Sequence, residues 1–131
     1  MELISEAHVF AEKTGLGSTL LEALIEQQYG QLAHAMSKRL TTGAYAPAPG
    51  TRPMSDLNLA LKDVSHGISC AESAGTKLPV ADIALGNLKE AKEWSIKNGD
   101  RALDSSSMYG VLRERAGLGF ESQGEKGRDV K

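Results

Sequence analysis

The chain has 131 residues, a formal net charge of −2 and 40% hydrophobic but only 5% aromatic residues. That length suits one domain with one core, and the scarcity of aromatics makes the core aliphatic and alanine-rich, which fits close-packed helices better than a β-sandwich. The balanced charge gives no field of one sign and excludes nucleic acid and acidic membrane surfaces as partners.

Leu3, Ala7, Phe10 and Ala11 fall at helical spacing over residues 2–14, predicting a first helix with these four inward and Gly15 as its left-handed stop. Its apolar pattern is already running at Leu3, so the chain is expected to open inside a longer helix. Thr19 and Glu22 have capping-box spacing and predict a second helix with Leu20, Leu21, Leu24 and Ile25 on its apolar face. Gly30 ends or kinks it, and 31–42 reads as a third helix with Leu32, Ala35, Met36 and Leu40. Pro47, Pro49 and Pro53 fall within seven residues, which no helix or central strand survives, so 43–53 is a surface loop.

Asp56 caps a fourth helix running to Gly75, on which Leu57, Leu61, Val64, Ile68 and Ala71 form one stripe. Pro79 opens the approach to a fifth helix over about 80–98, with Ile83, Ala84, Leu88 and Ala91 inward. Trp94, the single tryptophan, reads as either a core plug or an interface anchor. Asp104 and the serines Ser105 to Ser107 offer a cap for a last helix through Arg115, with Met108, Val111 and Leu112 inward. The glycine-rich, polar stretch 119–131 predicts a flexible tail. The fold class is therefore all-α, with about six helices in a domain over 1–118.

Cys70, the only cysteine, rules out an intrachain disulfide, makes a thiolate zinc site untenable and suits an intracellular, cytoplasmic or mitochondrial location. The chain contains no apolar run of membrane-spanning length and no cleavable signal at Met1. Gly15-Leu-Gly17 and Gly117-Leu-Gly119 are the only Gly-x-Gly triplets; both sit at helix ends with no preceding strand, so neither forms a dinucleotide or P-loop cradle. His8, His34 and His66 lie on different helices without metal-ligand spacing, so no metal is expected. On the fourth helix Lys62, His66 and Asp63 project roughly 140°, 180° and 240° from Leu57, gathering three titratable groups on the outer side. By spacing alone this is the solvated face of an amphipathic helix. Leu59 lies among them, however, and an exposed leucine between charges implies that a partner domain, a subunit or a ligand covers the face.

Leu59-Ala-Leu-Lys-Asp-Val64, followed by Ala71-Glu-Ser-Ala-Gly75 and Leu78-Pro79, resembles the C-terminal helical domain of the β-hydroxyacid dehydrogenases. This group includes 3-hydroxyisobutyrate dehydrogenase and glyoxylate reductase and is related to 6-phosphogluconate dehydrogenase. Glu6-Ala7, Ala11-Glu-Lys-Thr-Gly15 and the Gly99-Asp100, Asp104-Ser105 pair are similar to further segments of that family, in the same order, so the similarity runs over about residues 2–118. The resemblance implies a two-domain enzyme, with a Rossmann domain holding NAD or NADP and the active site in the cleft between the domains. In that scheme Lys62 reaches the cofactor, where an ammonium can meet phosphate or ribose, and Asp63 borders the substrate cleft, where a carboxylate can orient a lysine or a hydroxyl. Ser55 stands in the cleft where the family has phenylalanine seven residues before the lysine. The family's catalytic lysine would lie upstream of Met1, so no catalytic residue is expected within this sequence, and the chain alone is expected to be inactive and to bind no cofactor tightly. The expected partners are a missing Rossmann domain and further copies of the chain in a homo-oligomer. The alternative is a non-catalytic helical dimerisation or interaction module.

Overall fold

The computed structural model describes residues 1–122, which are all-helical. Five helices follow in order: α1 (Glu2–Thr14), α2 (Ser18–Thr41), α3 (Leu57–Ser73), α4 (Pro79–Lys97) and α5 (Met108–Arg115). α1 stops where Gly15 turns left-handed at φ 78° and its N–H returns to the Glu12 carbonyl, a conformation without steric cost only for glycine. α2 is broken at Gly30, where φ is 77° and ψ −171°. Thr41 Oγ1 donates to Glu22 across 19 positions at 2.8 Å, and His34 Nδ1 lies 3.2 Å from Glu26. A continuous helix would separate the first pair by about 28 Å, so the chain reverses at Gly30 into two antiparallel limbs. The expected second and third helices are these limbs, and the count of about six agrees in substance.

The neighbours run α2, α1, α5, α4, α3, with the short α5 between α1 and α4. The core is built from Leu40, Tyr45, Leu57, Leu88, Ala91, Leu103, Met108, Tyr109, Val111 and Phe120. The rings of Tyr45 and Tyr109 meet edge to face at 5.0 Å between centroids, a favoured aromatic geometry.

Several expectations need correction. Leu3 and Phe10 are 77% and 65% exposed, and the inward row of α1 is Glu2, Ser5, His8 and Ala11. That polar row is tolerated because its longer members are bonded: Asn87 Nδ2 donates to Glu2, and His8 Nε2 lies 2.6 Å from Ser37 Oγ. Leu20 and Leu24 on α2 and Ile83 on α4 also face solvent. The capping box does not form. Gly17 is the N-cap of α2, without a side-chain cap bond, so Thr19 falls within the first turn and Glu22 turns inward to Thr41.

Asp104 does not cap α5 either; Ser107 occupies that position. Asp104 is fully buried and pairs with Arg39. Its second oxygen accepts the Ser55 N–H at 2.9 Å, and its first accepts the Ser106 N–H at 3.0 Å and the Ser106 hydroxyl. An isolated antiparallel bridge between Asp56 and Asp104 runs alongside, and Leu57 N–H donates to the Leu103 carbonyl at 3.0 Å. One carboxylate thus ties the end of α2, the entry to α3 and the entry to α5.

The start of the segment expected as a flexible tail is packed on the core. Phe120 is 4% exposed and stacks on Trp94 with centroids 3.9 Å apart and planes 11° off parallel. Tyr45 Oη donates to the Phe120 carbonyl at 2.7 Å and accepts the Ser122 N–H. Trp94 is therefore half-buried against the core, with Arg101 over its ring at 5.8 Å. The remainder of the expected tail, 123–131, lies outside the described residues.

Candidate functional site

α3 carries the residues singled out for the cleft. Asp56 starts the helix by accepting the Asn58 N–H at 2.7 Å, satisfying an end donor that has no partner within the helix. Leu57 and Ala71 are buried, and Leu61, Val64 and Ile68 are half-buried on the inner side. This leaves Leu59, Lys62, Asp63, His66 and Cys70 exposed on the outer side. Lys62 Nζ and Asp63 Oδ1 are 3.1 Å apart, with side chains 55% and 69% exposed. A pair so solvated contributes little to stability, on the order of 0–1 kcal/mol, so both groups can exchange partners at small cost. Leu59 is 55% exposed among them.

Ser55 sits one residue before the α3 cap and is half-buried. Its main chain is held at both polar groups: the N–H donates to Asp104, and the carbonyl accepts the Ser105 N–H at 2.6 Å. The structure thus brings Lys62 and Asp63 together and fixes Ser55 at the foot of the same helix. The three histidines have unrelated surroundings: His8 is buried beside Ser37, His34 is paired with Glu26, and His66 is exposed.

Two charged clusters carry no local signal in the sequence. The first is the Arg39–Asp104 hub behind Ser55. In the second, Arg113 pairs with Glu12, its Nε donates to the Gly119 carbonyl at 3.0 Å, and Tyr109 Oη donates to Glu12 at 3.1 Å. Burial, reinforced by the Glu12 charge, raises the Tyr109 hydroxyl far above its ordinary range; burial also raises Tyr45. Both phenols therefore stay protonated near neutrality, and both hydroxyls donate hydrogen bonds, to the Phe120 carbonyl and to Glu12. The partners in these clusters lie 65 and 101 positions apart in sequence, so no local spacing could have signalled them. A groove of about 540 Å³ opens between α4 and α5, lined by Glu90, Glu93, Trp94, Lys97, Val111, Glu114 and Arg115. No residue of α3 lines it.

No family model matches the chain, and no solved structure matches it. Among curated proteins it is similar to one named NADH-dependent oxidoreductase ucdB, from Aspergillus ustus, at 27% identity over 123 residues. The match takes in 93% of this chain and 41% of that protein, so the chain spans less than half the length of its relative. It is thus related to a portion of an oxidoreductase. No helix among the described residues is long and apolar enough to cross a membrane.

Proposed function

We propose that the chain is the helical portion of an NAD(P)-dependent oxidoreductase acting on a β-hydroxyacid or its semialdehyde. In this reading the outer face of α3 is one wall of a cleft whose other wall, the nucleotide-binding part, is contributed by a separate domain. The similarity over 93% of the chain to part of an NADH-dependent oxidoreductase is the observation that carries the reading. The α3 face supports it: Lys62 and Asp63 are held on a rigid helix, loosely paired, and surround an exposed Leu59 that a covering domain would bury. The Lys62 ammonium would hold a phosphate or ribose oxygen of the cofactor, and Asp63 would orient the lysine or a substrate hydroxyl. Ser55 borders the cleft from the end of α3, where the dehydrogenases that the sequence resembles carry an aromatic side chain, and so leaves more room there.

The test replaces the matching stretch of the Aspergillus ustus protein with residues 1–122. The chimera is expected to oxidise NADH with glyoxylate or succinic semialdehyde. In it, Lys62→Ala should raise the KM for NADH by about tenfold, as expected for loss of one charge-assisted contact. The 131-residue chain alone is expected to show no turnover. A Lys62→Ala chimera kinetically identical to its parent would refute the role of Lys62, and turnover by the isolated chain would refute the two-part reading.

A further inference from the structure

The loop that joins α2 to α3 carries a charge with no partner. Among the described residues, Arg39, Arg101, Arg113 and Arg115 each pair with a carboxylate, and Arg52 pairs with none. The loop that presents it is fastened at both ends. Arg101 donates to the carbonyls of Ala46 and Pro47, each at 2.9 Å, and Ser55 is held through its N–H and its carbonyl. Between these anchors the Thr51 N–H closes a turn on the Ala48 carbonyl at 2.9 Å, with Gly50 left-handed at φ 81°. Pro53 is buried, whereas Arg52 and Met54 on either side of it are exposed, Met54 by 79%. A cation and a flexible apolar side chain thus stand at the surface two positions apart, next to Ser55. Three residues of chain span at most about 11 Å, so the Arg52 backbone lies within that distance of the foot of α3.

We infer that Arg52 recognises the carboxylate of the substrate, with Met54 covering the apolar carbons next to that carboxylate. The inference rests on the oxidoreductase reading and names the part of the substrate that this chain holds. A hydroxyacid or its semialdehyde keeps its carboxylate through hydride transfer, and a cation is needed to hold that charge in a closed cleft. In that reading Lys62 serves the cofactor, and Arg52 is the other cation close to Ser55 in the chain. The planar guanidinium meets both oxygens of a carboxylate at once, and a methionine adapts to apolar groups of varied shape. The substrate class is therefore a carboxylate bearing an aliphatic or larger apolar chain, for which Ser55 leaves the space. A phosphate of the cofactor offers the same anionic oxygens, so the test separates the two.

In the chimera with the Aspergillus ustus protein, Arg52→Ala should raise the KM for succinic semialdehyde by about tenfold or more, as for loss of a charge-assisted contact. The KM for NADH should stay unchanged, as should kcat/KM for butanal, which has no carboxylate. An unchanged KM for succinic semialdehyde would overturn the inference, and so would a rise in the KM for NADH, which assigns Arg52 to a cofactor phosphate. A second readout needs no turnover: NMR spectra of the 131-residue chain titrated with sodium valerate, sodium phosphate or sodium chloride. Valerate should shift the Arg52 side-chain N–H and the Met54 methyl saturably at about 10–100 mM, a weak affinity suited to one wall of a cleft. Arg52→Ala should abolish the Met54 shift. Shifts that match those of chloride, that survive Arg52→Ala, or that phosphate produces more strongly would overturn the inference. A silent chimera with valerate bound at Arg52 counts against the oxidoreductase reading alone. An active chimera indifferent to Arg52→Ala counts against this inference alone.

Discussion

The two halves of the molecule are assembled on opposite principles. The stretch from Leu57 to Phe120 supplies most of the core, with Leu57, Leu88, Ala91, Leu103, Met108, Val111 and Phe120 closing around Tyr45 and Tyr109, while Leu59, Val80, Ile83 and Ile96 stay exposed. The α1–α2 half turns leucines and a phenylalanine to solvent, and much of its attachment to the rest is polar: Glu12 to Arg113, Glu2 to Asn87, and Arg39 to Asp104. Apolar burial is non-directional and tolerates repacking, whereas buried polar contacts fail when one partner is lost. The second half therefore supplies most of the apolar core, and the first half adds Leu40 to it, with Ile4 and Val9 packed against that core, alongside these specific bonds.

The largest expected effect comes where the halves are pinned together. Asp104→Ala leaves Arg39 largely buried without its carboxylate and removes the acceptor of the Ser55 and Ser106 N–H groups. Breaking such a pair costs about 3–5 kcal/mol, a large share of the 5–15 kcal/mol typical of a domain. Urea unfolding should show a much lower midpoint. If the midpoint barely moves, the halves are not joined through this carboxylate. A smaller loss is expected at the end of the second half. Gly110 has no side chain, and a Cβ there would approach the Phe120 ring to 2.6 Å. Gly110→Ala should therefore cost about 1–3 kcal/mol through overpacking and alter Trp94 fluorescence, since Phe120 stacks on that indole. An unchanged spectrum and unchanged stability would place Phe120 outside the core.

The contrast also explains what could be read from the sequence. The α3 stripe from Leu57 to Ala71, Gly15 and Gly75 as helix stops, a helix opening at Pro79 and the break at Gly30 all follow from local rules and all hold. Lys62, Asp63 and Leu59 were placed correctly on the outer face of α3 for the same reason. The inward face of α1 is not legible in the sequence because periodicity assigns burial to the apolar row. Leu3 and Phe10 form such a row, and nothing near Glu2 in sequence reveals that Asn87, 85 positions away, will accommodate it. Of Asp104 and the serines Ser105 to Ser107, Ser107 takes the N-cap position; a cap is the local use of an aspartate before a helix, but Asp104 has its partner Arg39 65 positions away. Phe120 reads as tail because its glycine-rich neighbours outweigh one aromatic whose partner, Trp94, lies on another element. In each case a long-range partner overrode a local preference.

The smallest expected effect asks whether the polar interior of the first half carries an energetic cost. Burial, together with the charge of Glu6, raises the Glu2 carboxyl above its usual 4.5, against the opposing pull of the Asn87 hydrogen bond, the terminal amine and Arg115. Between 4.5 and that raised value the folded chain holds a proton that the unfolded chain has released. Stability therefore falls as pH rises through this window and stays lower above it. Glu2→Gln keeps an oxygen to accept from Asn87 Nδ2 and removes the charge. At pH 7 the variant should be more stable than the parent by less than about 1 kcal/mol, within the range of single polar substitutions. Thermal unfolding of the two should converge as the pH is lowered below 4.5, where the parent is protonated in both states. Parallel curves, or a variant less stable at neutral pH, would mean that the ionised Glu2–Asn87 bond offsets the burial of the charge. The α1–α2 half would then be bound by its polar interior as firmly as the other half is by its apolar one.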